Sequence, residues 1–108
     1  MLEILKTYSN GGVIEVYRQV DREASDYKNV FASCEYFAQQ GKRTVITPRF
    51  SETIGNPDYH TIYATLKGTP FWGKCTDFCV DGIWYEHEGY DKKKNQKHPL
   101  KKRKHKNC

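Results

Sequence analysis

Apolar side chains recur between residues 27 and 38 at the spacing of one helix face. Tyr27, Val30, Phe31, Cys34, Phe37 and Ala38 follow the i, i+3, i+4, i+7 rhythm of a buried stripe. Ser25 or Asp26 stands where an N-cap is needed, and Gly41 stands where the chain must leave the helix through a left-handed residue. The pattern predicts a helix from about Asp26 to Gln40, with its stripe packed into a core. After Gly41-Lys42-Arg43 the rhythm changes. Thr44-Val45-Ile46-Thr47 is short and β-branched, and Pro48 stops it, so it reads as a strand. Val13-Ile14-Glu15-Val16-Tyr17 reads the same way behind the turn residues Asn10-Gly11-Gly12. Leu2, Ile4 and Leu5 fit a strand or a short helix; as a strand they complete a first hairpin.

The most specific local signal is Asp81-Gly82 between two β-prone runs, Cys75 to Val80 and Ile83 to Glu88. A two-residue type I′ turn needs φ > 0 at both central positions, which Asp-Gly tolerates. That turn dictates a register: Val80 opposite Ile83, Cys79 opposite Trp84, Phe78 opposite Tyr85, Asp77 opposite Glu86 and Thr76 opposite His87. Alternation along a strand then divides the hairpin. One face carries Val80, Ile83, Phe78, Tyr85, Thr76 and His87 and reads as core. The other carries Cys79, Trp84, Asp77, Glu86, Cys75 and Glu88. Upstream, residues 49–58 form a loop. Tyr59, Ile62, Tyr63 and Leu66 recover helical spacing, with Asp58 as a cap and Gly68 as a stop, while Thr61 and Thr65 leave a strand open. Gly68 to Gly73 is a connector with an aromatic centre. The fold class is α+β: a small antiparallel sheet with one main helix packed on it and a β-hairpin at residues 75–88, forming a single domain over residues 1–91.

Length and charge sharpen this picture. The chain has 108 residues and a net charge of +5. Its charge is unevenly placed: residues 1–91 carry nine basic against thirteen acidic side chains, and residues 92–108 carry nine basic and none acidic. The body is therefore acidic and the tail basic. One apolar residue, Leu100, cannot order such a segment, so residues 92–108 are expected to be disordered and without tertiary contacts. The tail is also the expected nucleic-acid contact, through Lys92, Lys93, Lys94, Lys101, Lys102, Arg103 and Lys104. Any cationic site on the body would have to lie around Lys67, Lys74 and Arg49. There is no long apolar run and no signal-peptide pattern, so a cytoplasmic monomer with no membrane association is expected. The four cysteines, Cys34, Cys75, Cys79 and Cys108, show no paired spacing and are expected to be free thiols.

The polar face of the hairpin holds the candidate chemistry. Asp77, Glu86 and Glu88 would converge as hard oxygen ligands for Mg²⁺, and Lys74 could stabilise phosphate charge in a metal-dependent nuclease. Carboxylates directly opposite one another repel, so a cation, a raised pKa or a basic neighbour must offset them unless the face simply meets water. A metal-free ribonuclease is the second chemistry, drawing on His87, Glu86 or Glu88, Lys74, Tyr85 and His60 for base, acid and cation. Zinc held by Cys75 and Cys79 with His87 or His105 fails on distance, because residues four apart in a strand are separated by about 13 Å. A non-enzymatic nucleic-acid or protein binding module driven by the basic tail is the alternative to all three.

Two blocks, Gly68-Thr69-Pro70-Phe71-Trp72-Gly73-Lys74-Cys75-Thr76-Asp77-Phe78 and Trp84-Tyr85-Glu86-His87-Glu88-Gly89-Tyr90, resemble a domain of bacterial mobile-element and phage-like proteins. That domain is related to the C-terminal nuclease domains of contact-dependent growth inhibition toxins, described as tRNases. Gly11-Gly12, the helix of Lys28 to Gln40 and Gly41-Lys42-Arg43-Thr44-Val45-Ile46-Thr47-Pro48 extend the resemblance over roughly residues 10 to 90. It implies a toxin-like nuclease acting on RNA, tRNA above all, with an immunity protein as partner. The hairpin also resembles the nuclease signature of Pro-Asp followed by Asp/Glu-x-Lys, but Glu86-His87-Glu88 lacks its lysine. In the toxin family a further helix and strand follow the hairpin. Here a lysine-rich run stands in their place, so the resemblance implies a truncated copy, with loss of activity as one expected consequence.

Overall fold

The computed structural model describes residues 2–86 and the backbone of Lys101–Arg103. In chain order the elements are β1 (Leu2–Thr7), β2 (Val13–Tyr17), α1 (Tyr27–Ala38), β3 (Arg43–Ile46), α2 (Pro57–Ile62), a 3₁₀ turn (Ala64–Leu66), β4 (Phe78–Val80), β5 (Ile83–Glu86) and β6 (Lys101–Arg103). The strands lie in the sheet in chain order. Neighbours are antiparallel except β2 and β3, which run parallel and are joined by α1. A parallel pair cannot be joined by a tight turn, and α1 supplies the crossover.

The register explains the layers. The rows Ile14–Thr44–Val80–Ile83 and Val16–Ile46–Phe78–Tyr85 cross the four central strands. They face α1, whose Val30, Cys34 and Ala38 are buried against Ile14, Val16, Ile46, Phe78 and Val80. The Phe37 ring lies 5.3 Å from Tyr85 and 6.4 Å from Phe78. The main helix thus packs on the Phe78/Tyr85 face, and the three hairpin pairs nearest the turn stand as the Asp-Gly signal dictates. Asp81 (φ 48°) and Gly82 (φ 85°) both occupy the left-handed region that a type I′ turn requires.

The alternate row, Glu15–Val45–Cys79–Trp84, faces away from α1. A second core covers its Trp84 end: Tyr59, Ile62, Tyr63 and Leu66 pack there with Trp84, flanked by Phe50, Phe71 and Trp72. Tyr63 is stacked between Tyr59 at 4.8 Å and Trp84 at 4.9 Å. The sheet is therefore covered on both faces. The cap of α2 is Asn56, whose Oδ1 accepts from the Asp58 N–H at 2.9 Å, with Pro57 at the first helical position. Asp58, the cap that the spacing suggested, sits two residues later, at the second helical position.

The Asn10-Gly11-Gly12 signal has a packing reason as well as a turn reason. A Cβ on Gly12 would lie 1.8 Å from the Ala38 carbonyl oxygen, so β2 can begin beneath the C-terminus of α1 only with glycine there. Asn10 Nδ2 donates to the Gln39 carbonyl at 2.8 Å and satisfies one of the carbonyls that the helix end leaves open.

The backbone of Lys101–Arg103 pairs along β5. The open edge of β5 offers unpaired N–H and C=O groups, and pairing satisfies them whatever the side chains are. Residues 92–100 and 104–108 lie outside the described residues. Cys34 and Cys75 are free thiols, but Cys79 is disulfide-bonded. No helix among the described residues is long and apolar enough to cross a membrane.

Candidate functional site

The parallel pair β2 and β3 creates a crevice at the C-terminal ends of its strands, facing the N-terminus of α1. Ligands of α/β units collect at this position, because the connecting loops diverge there and helix N–H groups point outward. A cavity of about 180 Å³ occupies it. Its walls include Asp26 and Tyr27 from the start of α1, Ile46, Thr47, Pro48 and Arg49 from the end of β3, and Asp77 ahead of β4.

Arg49 is the centre of this site. Its Nη2 donates to Asp26 Oδ1 at 2.7 Å, and its Nε lies 3.8 Å from Asp77 Oδ1. The arginine side chain is 53% exposed, and that of Asp77 is 13% exposed. Exposed ion pairs of this kind each contribute about 1 kcal/mol or less, so stability alone gives little reason to hold one guanidinium between two carboxylates. Tyr27 stands beside them, and burial pushes its hydroxyl above the ordinary tyrosine range, opposed by the nearby Arg22 charge. It therefore carries its proton at neutral pH.

Asp77 reaches this crevice through a local irregularity. Its N–H donates to the Tyr85 carbonyl at 3.2 Å, although the ladder already pairs Tyr85 with Phe78. Two residues thus stand against one, the geometry of a β-bulge, which re-aims a side chain. In regular alternation Asp77 would share the Cys79/Trp84 face and stand opposite Glu86. Instead it lines the cavity on the α1 side, beside Tyr27 and Ile46. The cross-strand Asp77–Glu86 pair is therefore replaced by an Asp77–Arg49 pair, with the Asp77 carbonyl held by the Thr47 N–H at 3.1 Å.

The other sequence candidates are spread out. Glu86 ends β5 and is half-buried. Lys74 is exposed in the connector, and its main-chain carbonyl accepts from the Tyr59 hydroxyl at 2.6 Å. His60 sits on the far core, its ring edge-on to Trp72 at 5.1 Å and its Nε2 against the Ile54 carbonyl. His87, Glu88, Lys92, Lys93, Lys94 and Lys104 lie outside the described residues, and Lys101, Lys102 and Arg103 are placed by their backbone in β6. No group of three His, Cys, Asp or Glu able to hold a metal occurs among the described residues. Asp26 read only as a cap, and Arg49 only as one loop cation among three. The signal that joins them is the strand–helix–strand order, whose parallel pairing brings the end of β3 to the start of α1.

A second cavity, of about 220 Å³, lies on the opposite face along β3. Arg43 and Asp81 are among its lining residues, and Thr47 lines both cavities. Arg43 Nε donates to Glu15 Oε1 at 2.6 Å, and its main-chain N–H to Asp81 Oδ1 at 2.9 Å.

Neither a family model nor a curated protein nor a solved structure matches the chain.

Proposed function

We propose that this is a toxin-like nuclease domain that cleaves RNA through metal-independent acid–base chemistry at the Asp26–Arg49–Asp77 crevice. The observation that carries the reading is Arg49, held by two carboxylates from separate elements at the C-terminal end of the parallel strand pair. An arginine so placed offers fixed donors to a phosphodiester, and a carboxylate beside it offers a base. In the step proposed, Asp77 takes the proton from a ribose 2′-hydroxyl and the 2′-oxygen bonds to phosphorus. The bond to the 5′-oxygen breaks, and Tyr27 supplies the proton that oxygen needs. Arg49 stabilises the extra negative charge on the phosphoryl oxygens. The products are a 2′,3′-cyclic phosphate and a 5′-hydroxyl end. The sequence resemblance to toxin tRNases points to the same substrate class.

The test is cleavage of transfer RNA and of a single-stranded RNA by the full chain, with a chelator present. We expect cleavage that persists in chelator and leaves cyclic-phosphate ends. Arg49→Ala should lower its rate about 10²–10³-fold, the usual loss for one oxyanion donor. Cleavage that requires Mg²⁺ or Mn²⁺ and is indifferent to Arg49→Ala would overturn the mechanism. Binding of RNA without cleavage under either condition would favour the binding module driven by the basic tail.

A further inference from the structure

β1 lies at the end of the strand order and, among the described residues, pairs only with β2. Its outer edge therefore presents the unpaired N–H and C=O groups of a strand, which are a template for another strand. Five of its six residues are exposed, and only Leu5 is half-buried. Ile4 is 60% exposed, and Leu2 is exposed as well. Ile4 pairs with Glu15 and Leu2 with Tyr17, which puts both on the sheet face away from α1, at the opposite end of the strand order from Trp84. An apolar residue this open on a bare edge calls for a cover.

The charges on β1 describe that cover. Glu3 and Lys6 stand symmetrically about Ile4-Leu5. When two β1 strands pair antiparallel about that centre, Glu3 of one copy stands opposite Lys6 of the other, and Lys6 opposite Glu3. Moving the centre to Ile4 or to Leu5 leaves both charges without an opposite. Moving it to Glu3 or to Lys6 sets like charges against each other, which is destabilising. Residues three apart in a regular strand point to opposite faces, so such pairs would miss each other across a continuous sheet. The register shift between Ile4 and Lys6 removes that obstacle. Leu5 packs on the α1 core, and the next residue also turns to α1, with Lys6 Nζ 3.3 Å from Glu35 Oε2. Glu3 accepts from Arg22, in the segment leading into α1, at 2.7 Å. Both charges thus stand on the α1 side. Both are exposed, and each has hydrogen-bonding capacity beyond its present partner.

We propose that the chain forms a two-fold dimer through β1, pairing edge to edge and antiparallel, in place of the monomer that the sequence alone suggests. Glu3 and Lys6 make two reciprocal pairs on the α1 side. On the other face the two Ile4 side chains meet beside the axis and leave water. The sheet continues through the axis, and a two-fold contact closes on itself instead of growing into a fibre. A six-residue edge buries little area, so the dimer is weak, with a dissociation constant of about 10–100 µM. β1 contributes nothing to the lining of the Arg49 crevice, so the inference stands apart from the nuclease reading.

The test is the mass of the full chain by sedimentation equilibrium from about 5 µM to about 1 mM, a range that spans this constant. We expect a monomer at the low end and a dimer at the high end. Glu3→Lys or Lys6→Glu alone turns both pairs from attraction to repulsion and should weaken the dimer about tenfold. An equimolar mixture of the two variants should restore it, because each lysine then meets a glutamate again. Restoration separates a lost contact from a damaged strand. A monomer at every concentration would overturn the proposal. A dimer indifferent to both substitutions would do the same, because its interface would lie elsewhere. A dimer weakened by each variant and not restored in the mixture would overturn it too, since charge would then not set the register.

Discussion

Tyr63 shows how one side chain can hold two layers together. Its hydroxyl donates to the Pro48 carbonyl at 2.7 Å, lies 3.1 Å from the Thr76 carbonyl, and accepts from the Thr76 N–H at 3.1 Å. Tyr63→Phe keeps the ring stacking but leaves a buried N–H bare. It should lower stability by about 1–3 kcal/mol, read as a shifted urea midpoint with an unchanged slope. Cys34 adds a pH dependence. Burial pushes its thiol from the ordinary 9.0 up to about 12, against a smaller opposing hydrogen bond from Thr44. The folded state therefore favours the neutral thiol. Its contribution to stability is full below pH 9 and is lost as pH rises from there towards 12. Tyr63, also buried, titrates in the same direction. Urea midpoints compared below and above pH 9 should fall in the parent chain and fall less steeply in Cys34→Ala. Equal slopes in the two chains would mean that the thiol is not the group responsible.

Elements meet at places where one residue type alone fits. The start of β2 slides under the end of α1 at Gly12. A methyl group there would sit inside the Ala38 carbonyl, so Gly12→Ala must push the helix off the sheet. The expected loss is about 1–3 kcal/mol or more, the range for overpacking. The turn of the β4–β5 hairpin is sensitive for a different reason. Gly82 lies at φ 85°, and alanine there should cost about 1–2 kcal/mol from backbone strain alone. For a domain of this size that lowers the melting temperature by roughly 4–8 °C per kcal/mol. An unchanged melting temperature would show that the turn can relax, and with it the register that places Phe78 under α1. The bulge at Asp77 is the third such junction, and it decides which face of the sheet receives the carboxylate.

At the scale of the whole molecule, charge is divided between body and tail. The body carries −4 and the tail nine cations. Binding of the full chain to non-specific duplex DNA should therefore be tail-driven and steeply salt-dependent, with a log–log slope of about −0.9 for each phosphate neutralised. If the Arg49 crevice takes RNA as proposed, that RNA gains contacts that salt screens less. The slope for a good RNA substrate should then be no steeper than for duplex DNA while the affinity is higher. Fluorescence anisotropy over a salt series measures both. Identical affinity for every nucleic acid at every salt concentration would leave the tail as the only contact.

Local rules made the elements legible. Helical spacing from Tyr27 to Ala38, β-branched runs bounded by glycine and proline, and Asp81-Gly82 specify α1, β2, β3 and the hairpin pairs, because each depends on residues close in sequence. The α+β class and the packing of α1 on Phe78 and Tyr85 follow from alternation. Only the tertiary structure decided the rest. That β2 and β3 pair side by side and parallel depends on where α1 returns the chain, which the strand–helix–strand order permits but no local pattern fixes. The placement of Asp77 beside Arg49 depends on an N–H that bonds across to Tyr85, one residue out of step with the ladder. Trp84 is buried in part because Tyr63, 21 residues earlier, stacks on its ring. Spacing sets which residues share a face, and long-range hydrogen bonds and packing set which faces meet.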